Sequence, residues 1–183
     1  MKKVTSMDET SSLAIPVSSA DHIQGDLKAP ILLVEYGDYE CPHCARALET
    51  VKALQEALGK KLCFVFRNFP LSQIHPYAEF GAEAAEAAGA QGRFWEMHEA
   101  IFQNQDSLGP GLITELAKEL ELDLPRFLSD LEGKKFEAKV REDFMGGARS
   151  GVHGTPSYFV NGLRYQGPRD SVETFVSALE ALA

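Results

Sequence analysis

The chain has few cysteines, little basic charge and no long hydrophobic run. Its 183 residues include only three cysteines, too few for the disulfide framework of a small secreted protein. Its 18 Lys and Arg residues are outnumbered by 27 Asp and Glu residues, which gives a formal net charge of −9 at pH 7. Nucleic acids and anionic membrane surfaces attract proteins through basic side chains, so this balance argues against both as partners.

No segment has the apolar length that export or membrane insertion requires. Before residue 30 the longest apolar patch is residues 13–17, which Pro16 interrupts, whereas a signal peptide needs about 7 to 15 apolar residues. No run approaches the ~20 apolar residues of a membrane span. The sequence therefore predicts a protein without membrane insertion, located in the cytoplasm, or in the periplasm if a leader has been removed.

The composition, 44% apolar and 25% charged, fits one globular domain that carries an insertion. Residues 1–20 are rich in Ser and Thr and lack hydrophobic periodicity, so they are predicted to form a flexible N-terminal arm. Residues 21–75 and 150–183 are predicted to form the two parts of one α/β unit. Residues 76–149, rich in Ala, Glu and Leu, are predicted to form a helical insertion between them.

Strand and helix patterns lie on both sides of this insertion. Residues 31–34 and 62–66 are continuous apolar runs typical of buried strands, and residues 44–58 repeat apolar side chains at helical spacing. Asn161-Gly162 predicts a hairpin turn, because both turn positions require positive φ. Residues 171–182 have the apolar stripe of a closing helix. The predicted fold is α/β, with the plan β-α-β, a helical insertion, then β-β-α around a parallel or mixed sheet.

The pair Cys41 and Cys44 has the spacing of a redox-active dithiol. Pro42 suits the first helical position, where an N–H has no partner, and this places Cys41 at the N-cap. There the free N–H groups and the helix dipole favour a thiolate, and His43 adds a cationic or hydrogen-bonding neighbour. Cys44, one turn deeper, is predicted to be the less exposed, resolving thiol. Because a stable thiolate stabilises the reduced form, the motif predicts an oxidising pair.

A zinc site is the alternative interpretation of these cysteines. Cys41, Cys44 and Cys63, with His43 or His75, could supply four zinc ligands. Structural zinc sites usually contain two paired ligand groups, however, and Cys63 stands alone inside an apolar strand. Cys63 is therefore interpreted as an inert core thiol, and no metal or other cofactor is predicted.

Three motifs in combination resemble the DsbA-like thioredoxin-fold proteins. They are DHIQG at residues 21–25, VEYGDYECPHC at residues 34–44 and GVHGTPSYFVNG at residues 151–162. The resemblance covers about residues 21–183 and implies a thioredoxin fold interrupted by a helical domain. It also implies that Pro156 is a cis-proline packed against the dithiol and that the Thr155 backbone binds an extended substrate chain. Glu35 matches the buried acid of the family, which assists proton transfer to the resolving thiol.

The resemblance implies a thiol–disulfide oxidoreductase that acts on protein thiols and disulfides, with glutathione or a redox partner protein as a further partner. Cys41 would form a mixed disulfide with the substrate, and Cys44 would resolve it. Cys-Pro-His-Cys is typical of oxidases, whereas Thr before the cis-proline is typical of reductases and isomerases, so the net direction stays open. A non-redox peptide-binding or chaperone module using the groove beside Pro156 is a second hypothesis, and a zinc-stabilised structural protein is a third.

Overall fold

The computed structural model describes residues 7–183, and its centre is a mixed six-stranded sheet. The strand order across the sheet is β1-β6-β5-β3-β4-β2. Strand β3 pairs parallel with β4 and antiparallel with β5, as the prediction of a mixed sheet allows. The strands are β1 (Met7–Ser12), β2 (His22–Gln24), β3 (Ile31–Gly37), β4 (Leu62–Asn68), β5 (Ser157–Val160) and β6 (Leu163–Tyr165).

Helices connect these strands in the predicted order, β3-α1-β4, then a block of helices, then β5-β6-α7. In the described part of the chain no helix combines the length and apolar character needed to cross a membrane. The helices are α1 (Pro42–Leu58), α2 (Ala78–Gly89), α3 (Phe94–Gln103), α4 (Pro110–Glu119), α5 (Leu124–Glu132), α6 (Glu137–Arg149) and α7 (Val172–Glu180).

The N-terminal segment differs from the predicted flexible arm over residues 1–20. Met7–Ser12 form strand β1, which pairs antiparallel with β6 at one edge of the sheet. Just beyond it, the Ala14 N–H donates to the Ser150 hydroxyl at 2.9 Å. The prediction was wrong for this strand because main-chain pairing at a sheet edge needs no alternation of apolar residues in the sequence. The part of the predicted arm at residues 1–6 lies outside the described residues.

The sheet separates two apolar clusters, and strand β4 contributes to both. Phe64 and Phe66 belong to the larger cluster, which also contains the buried residues of α1 and α7. Cys63 and Val65 alternate with them and belong to the smaller cluster on the opposite face. The sheet therefore stands between Cys63 and Cys44, which lies in the larger cluster.

Helix α6 approaches the smaller cluster closely through a glycine. A Cβ built on Gly147 would lie 2.7 Å from the Phe69 side chain and 3.0 Å from the Tyr36 ring. The Phe69 ring also stacks on Phe144 of α6, with ring centroids 4.5 Å apart. The Phe69 and Tyr36 rings are already packed, so they cannot move aside for a larger residue. The absence of a side chain at Gly147 therefore sets the distance between α6 and the sheet.

Replacing Gly147 with Ala is expected to lower the free energy of unfolding by about 1–3 kcal/mol, because the added methyl group overlaps two packed rings. Urea unfolding followed by circular dichroism measures the loss. Gly111→Ala in α4 is the control, since a Cβ there meets no atom within 4 Å and Ala favours a helix over Gly. Equal losses in the two variants would contradict the packing argument.

Candidate active site

The pair Cys41 and Cys44 lies where the chain leaves β3 and enters α1. Pro42 is the first residue of α1 and Cys41 is its N-cap, which confirms the helix start predicted from the sequence. The Cys44 N–H donates to the Cys41 carbonyl at 3.0 Å and closes the first turn. Both thiols are reduced. Cys41 keeps 5% exposure while Cys44 keeps none, so only Cys41 is open to attack from solvent.

Hydrogen-bond donors around Cys41 lower the pKa of its thiol to about 5. The largest contribution comes from the Cys44 thiol, followed among the favourable ones by Thr155 and by the backbone N–H groups of Cys44 and His43; burial opposes them. As a thiol, Cys41 donates to the Thr155 carbonyl at 3.4 Å. The Thr155 hydroxyl oxygen is buried and has no hydrogen-bond partner among the described residues. Its O–H is therefore free to turn towards a Cys41 thiolate.

Cys44 is held in the opposite protonation state. Burial, above all, raises the pKa of the Cys44 thiol well above its usual range, and its hydrogen bond to Cys41 and the charge of Glu35 act in the same direction. The Asp38 N–H contacts the Cys44 sulfur at 3.5 Å. The two thiols thus differ strongly in acidity: the Cys41 thiol, which is slightly exposed, is acidic, and the fully buried Cys44 thiol is protonated.

Glu35 is a buried carboxyl group on β3, 3% exposed. Burial raises the pKa of Glu35 to about 8, and the charge of Cys41 adds to the rise. A hydrogen bond from the Tyr158 hydroxyl and the charge of Arg169 partly offset it. A cavity of about 10 Å³ is lined by both Glu35 and Cys44. Glu35 is therefore a proton-holding group placed beside the buried thiol.

The loop before β5 closes the other side of the dithiol. Its Thr155–Pro156 peptide bond is cis. The same loop brings the Thr155 carbonyl to the Cys41 sulfur. The structure thus brings Thr155 to Cys41, although the two residues are 114 positions apart in the sequence.

His43 stands differently from the expectation that its side chain assists the Cys41 thiolate. Its Nδ1 lies 2.7 Å from Nη2 of Arg46 on the exposed side of α1. A guanidinium group only donates, so Nδ1 accepts and the positive charge at this point belongs to Arg46. The contribution of His43 to the Cys41 thiolate comes from its backbone N–H.

Asp38, which the sequence analysis did not single out, holds the loop that precedes Cys41. Its buried carboxylate accepts hydrogen bonds from the Glu40 N–H at 2.7 Å, the Leu71 N–H at 2.8 Å and His75 Nδ1 at 2.8 Å. Its own N–H is the group that contacts Cys44. An acidic residue just before a helix N-cap is a weak signal in a sequence, because most such residues are solvated.

Gln105, between α3 and α4, is a second residue that sequence reasoning missed. Its side-chain amide donates to the carbonyl of Tyr39 at 2.8 Å and to the carbonyl of Cys41 at 3.0 Å. The helical insertion therefore reaches back to the active-site loop. No local pattern marks this contact, since the two segments are 64 residues apart.

The alternative zinc site lacks a shared location for its ligands. Cys63 lies on the opposite face of the sheet from Cys44, and His75 is hydrogen-bonded to Asp38. In the part of the chain that the structure describes, no three His, Cys, Asp or Glu side chains are grouped so as to hold a metal ion. Because Cys63 is separated from the dithiol, the four zinc ligands proposed from the sequence cannot bind one metal ion.

Solved structures similar to this chain have a thioredoxin fold. A family model described as Thioredoxin matches residues 18–181. Oxidised BdbD from Bacillus subtilis superposes with a TM-score of 0.81 at 22% identity, covering 94% of this chain and 97% of that one. DsbA2 from Pseudomonas aeruginosa gives 0.73 at 25% identity, covering 92% and 97%. These matches confirm the predicted thioredoxin fold with its helical insertion.

The curated relatives are much longer proteins. The Na(+)/H(+) antiporter NhaA 1 of Salinispora arenicola is 44% identical over 156 residues, which cover 85% of this chain and 24% of that protein. NhaA 3 of Salinispora tropica is 40% identical over 172 residues, covering 93% and 26%. The chain thus spans about a quarter of the length of the curated relatives it matches, and antiport is an activity of those whole proteins.

Alkylation of the reduced protein with iodoacetamide is expected to modify Cys41 first, with a rate that rises through a midpoint near pH 5. The thiolate is the reacting form, so the rate follows the deprotonation of Cys41. Peptide mass spectrometry after timed alkylation from about pH 3.5 to about pH 7.5 measures it. Cys63 is the internal reference, since burial raises the pKa of its thiol. Equally fast modification of Cys44 or Cys63 near pH 6 would contradict the assignment.

Glu35→Gln is expected to stabilise the reduced protein increasingly, relative to the unchanged protein, as the pH rises from about 4.5 to about 8, where the difference levels off. The folded pKa of about 8 exceeds the ordinary value of 4.5, so the folded state holds a proton that the unfolded chain has released. Stability of the unchanged protein therefore falls as the pH rises between these values, by at most about 1.4 kcal/mol per pH unit. Glutamine cannot lose that proton.

Urea unfolding of both proteins from about pH 4 to about pH 9 measures this difference. The exposed Glu119, changed to Gln, is the matched control and is expected to leave the pH dependence unchanged. A stability difference that stays constant over the whole range would show that Glu35 is not buried in its protonated form.

Proposed function

We propose that this chain, which belongs to the thioredoxin family, is a thiol–disulfide oxidoreductase that exchanges disulfides with protein substrates through Cys41 and Cys44. The observation that carries the proposal is the difference between the two thiols. Cys41 keeps a small exposed fraction, 5%, and has a pKa of about 5, whereas Cys44 is fully buried and stays protonated. A two-step exchange needs one thiol that is a thiolate at neutral pH and a second thiol that stays protonated until the mixed disulfide has formed.

The first step is attack by the Cys41 thiolate on a disulfide of the substrate. The substrate S–S bond breaks, a Cys41–substrate disulfide forms, and the other substrate sulfur leaves as a thiolate. Once Cys41 has no proton to donate, the Thr155 carbonyl can accept from a backbone N–H of the substrate. The cis Thr155–Pro156 loop thereby acts as the binding edge for an extended chain.

The second step requires a proton to leave Cys44. Glu35 is the acceptor in its carboxylate form, which becomes easier to reach once Cys41 is in the mixed disulfide, because the Cys41 charge that helps to raise the pKa of Glu35 is then absent. The cavity between Glu35 and Cys44 has room for about one bridging water molecule. The Cys44 thiolate then attacks the Cys41 sulfur, the Cys41–Cys44 disulfide forms, and the substrate sulfur leaves and takes up the proton. In the opposite direction the same steps oxidise a substrate dithiol.

The acidity of Cys41 favours that opposite direction. A thiolate that is stable at neutral pH stabilises the reduced protein, so the oxidised protein tends to give its disulfide away. Glutathione or a redox partner protein would then restore the disulfide or the dithiol. A non-redox peptide-binding module is the second candidate function, favoured by an open groove of about 330 Å³ beside Thr155 and Pro156.

In cells, Cys44→Ser is expected to accumulate mixed disulfides with other proteins, because the intermediate on Cys41 forms and nothing resolves it. Cys41→Ser is expected to form none, since its remaining active-site thiol is buried and protonated. Acid quenching followed by non-reducing gel electrophoresis measures the adducts.

Cys63→Ser in the Cys44→Ser background is the control and is expected to keep the adducts. Equal trapping by the Cys41 and Cys44 variants would contradict the exchange mechanism. Peptide binding that survives replacement of both active-site cysteines, with no adduct in any variant, would favour the non-redox module instead.

A further inference from the structure

The groove beside the dithiol carries positive charge. It is lined by residues from α1, from the cis-proline loop and the start of β5, and from α7 and the segment that precedes it. None of the described residues that line it is Asp or Glu. We call it the basic groove; the residues that matter for its chemistry are His43, Arg46, Thr155, Pro156, Tyr158 and Arg169.

Arg46 supplies the charge on one side of the basic groove. It is exposed on the first turns of α1, and its contact with His43 uses one of the five N–H donors of the guanidinium group. No carboxylate among the described residues pairs with Arg46, whereas Arg67 and Arg93 each pair with one. The remaining donors of Arg46 face solvent and are available to a ligand.

Arg169 supplies the charge on the other side. Its guanidinium carbon lies 5.6 Å from the centre of the Tyr158 ring, a cation–π contact that holds it over the groove. Asp170, the next residue, does not line the basic groove; it lines an adjoining groove that also contains Arg164 and shares Pro156, Tyr158 and Arg169 with the basic groove. Glu173, at the start of α7, is fully exposed. The two arginines therefore frame the place where the Thr155 edge meets Cys41.

The positive charge of the basic groove acts on a bound partner even though the whole chain is acidic. The net charge of −9 repels acidic partners at long range. At about 0.1 M salt, however, exposed charges farther apart than about 10 Å are largely screened. A carboxylate that reaches the basic groove then interacts chiefly with its two guanidinium groups, with which it can form charge-assisted hydrogen bonds.

We infer that the basic groove selects polypeptide substrates that carry Asp or Glu close to the reacting cysteine. This inference rests on the proposed function, which supplies the exchange at Cys41. In an extended chain, residues two apart lie about 6.6 Å from each other on the same side. Arg46 is five residues along α1 from Cys41, about one and a half helical turns, and its long side chain lines the same groove as Thr155. We therefore expect an acidic residue two positions from the reacting cysteine to be within reach of Arg46.

The test uses the Cys44→Ser protein and short peptides whose single cysteine is activated as a mixed disulfide with 2-thiopyridine. The Cys41 thiolate attacks the peptide sulfur, the peptide–thiopyridine bond breaks, the Cys41–peptide disulfide forms, and pyridine-2-thione leaves and is followed by its absorbance. One peptide has Glu two positions on either side of the cysteine, and its partner has Gln there. Each rate is divided by the rate of the same peptide with 2-mercaptoethanol, a neutral thiol.

The Glu peptide is expected to react about tenfold faster than the Gln peptide in low salt, and less than about twofold faster near 0.5 M salt. Arg46→Gln with Arg169→Gln is expected to reduce the ratio to about one. Arg93→Gln, an exposed arginine that pairs with Glu96 outside the groove, is the control and is expected to keep it. The ratio of the two peptides is compared because these substitutions can also alter the reactivity of Cys41 itself.

Glutathione activated in the same way carries two carboxylates, whereas its diethyl ester carries none. Comparing their rates tests whether the basic groove selects a small acidic thiol and not an acidic polypeptide. Selection confined to glutathione would overturn the polypeptide class. Equal rates for the Glu and Gln peptides, or a preference that survives the double arginine variant, would overturn the inference and leave the exchange activity standing. Absence of reaction with every peptide would overturn the proposed function, and the inference with it.

Discussion

The hydrogen bond between the Cys44 thiol and the Cys41 sulfur is the interaction on which the site depends most. It makes the largest contribution to the low pKa of Cys41, and it also raises the pKa of Cys44. One contact therefore creates both an acidic thiol and a protonated one. It requires the two sulfurs to meet across the first turn of α1, which Pro42 at the first helical position makes possible.

Three parts of the chain, one local and two distant in sequence, keep that first turn in place. Asp38 fixes the residues before it, Gln105 from the helical insertion binds the carbonyl of Cys41, and the cis-proline loop supplies the Thr155 carbonyl. These residues belong to different elements of the fold, so the geometry of the dithiol depends on the packing of the whole molecule. The insertion is thus part of the site as well as a cover for the sheet.

The sequence was sufficient where local chemistry decides the structure. Asn161 and Gly162 have φ of 50° and 86°, as the predicted hairpin turn requires, and the helix after Cys41 begins at the predicted residue. Strand β1 and the contact of Gln105 were missed, because main-chain pairing and long-range hydrogen bonds leave no periodic pattern. The sequence predicted that the His43 side chain assists the thiolate, because the contact between Arg46 and His43 depends on side-chain rotamers that a sequence does not reveal.

Strand β1 also affects how copies of the chain meet. It pairs with β6, whose other neighbour is β5, and so it occupies the position of an edge strand. A chain shortened past residue 12 would leave the outer N–H and C=O groups of β6 unpaired. Unpaired strand edges are templates for pairing with another molecule, which makes them starting points for aggregation and domain swapping. With β1 present the edge of the sheet is a strand that contains Asp8 and Glu9, and charged residues on an edge strand oppose pairing with a second molecule.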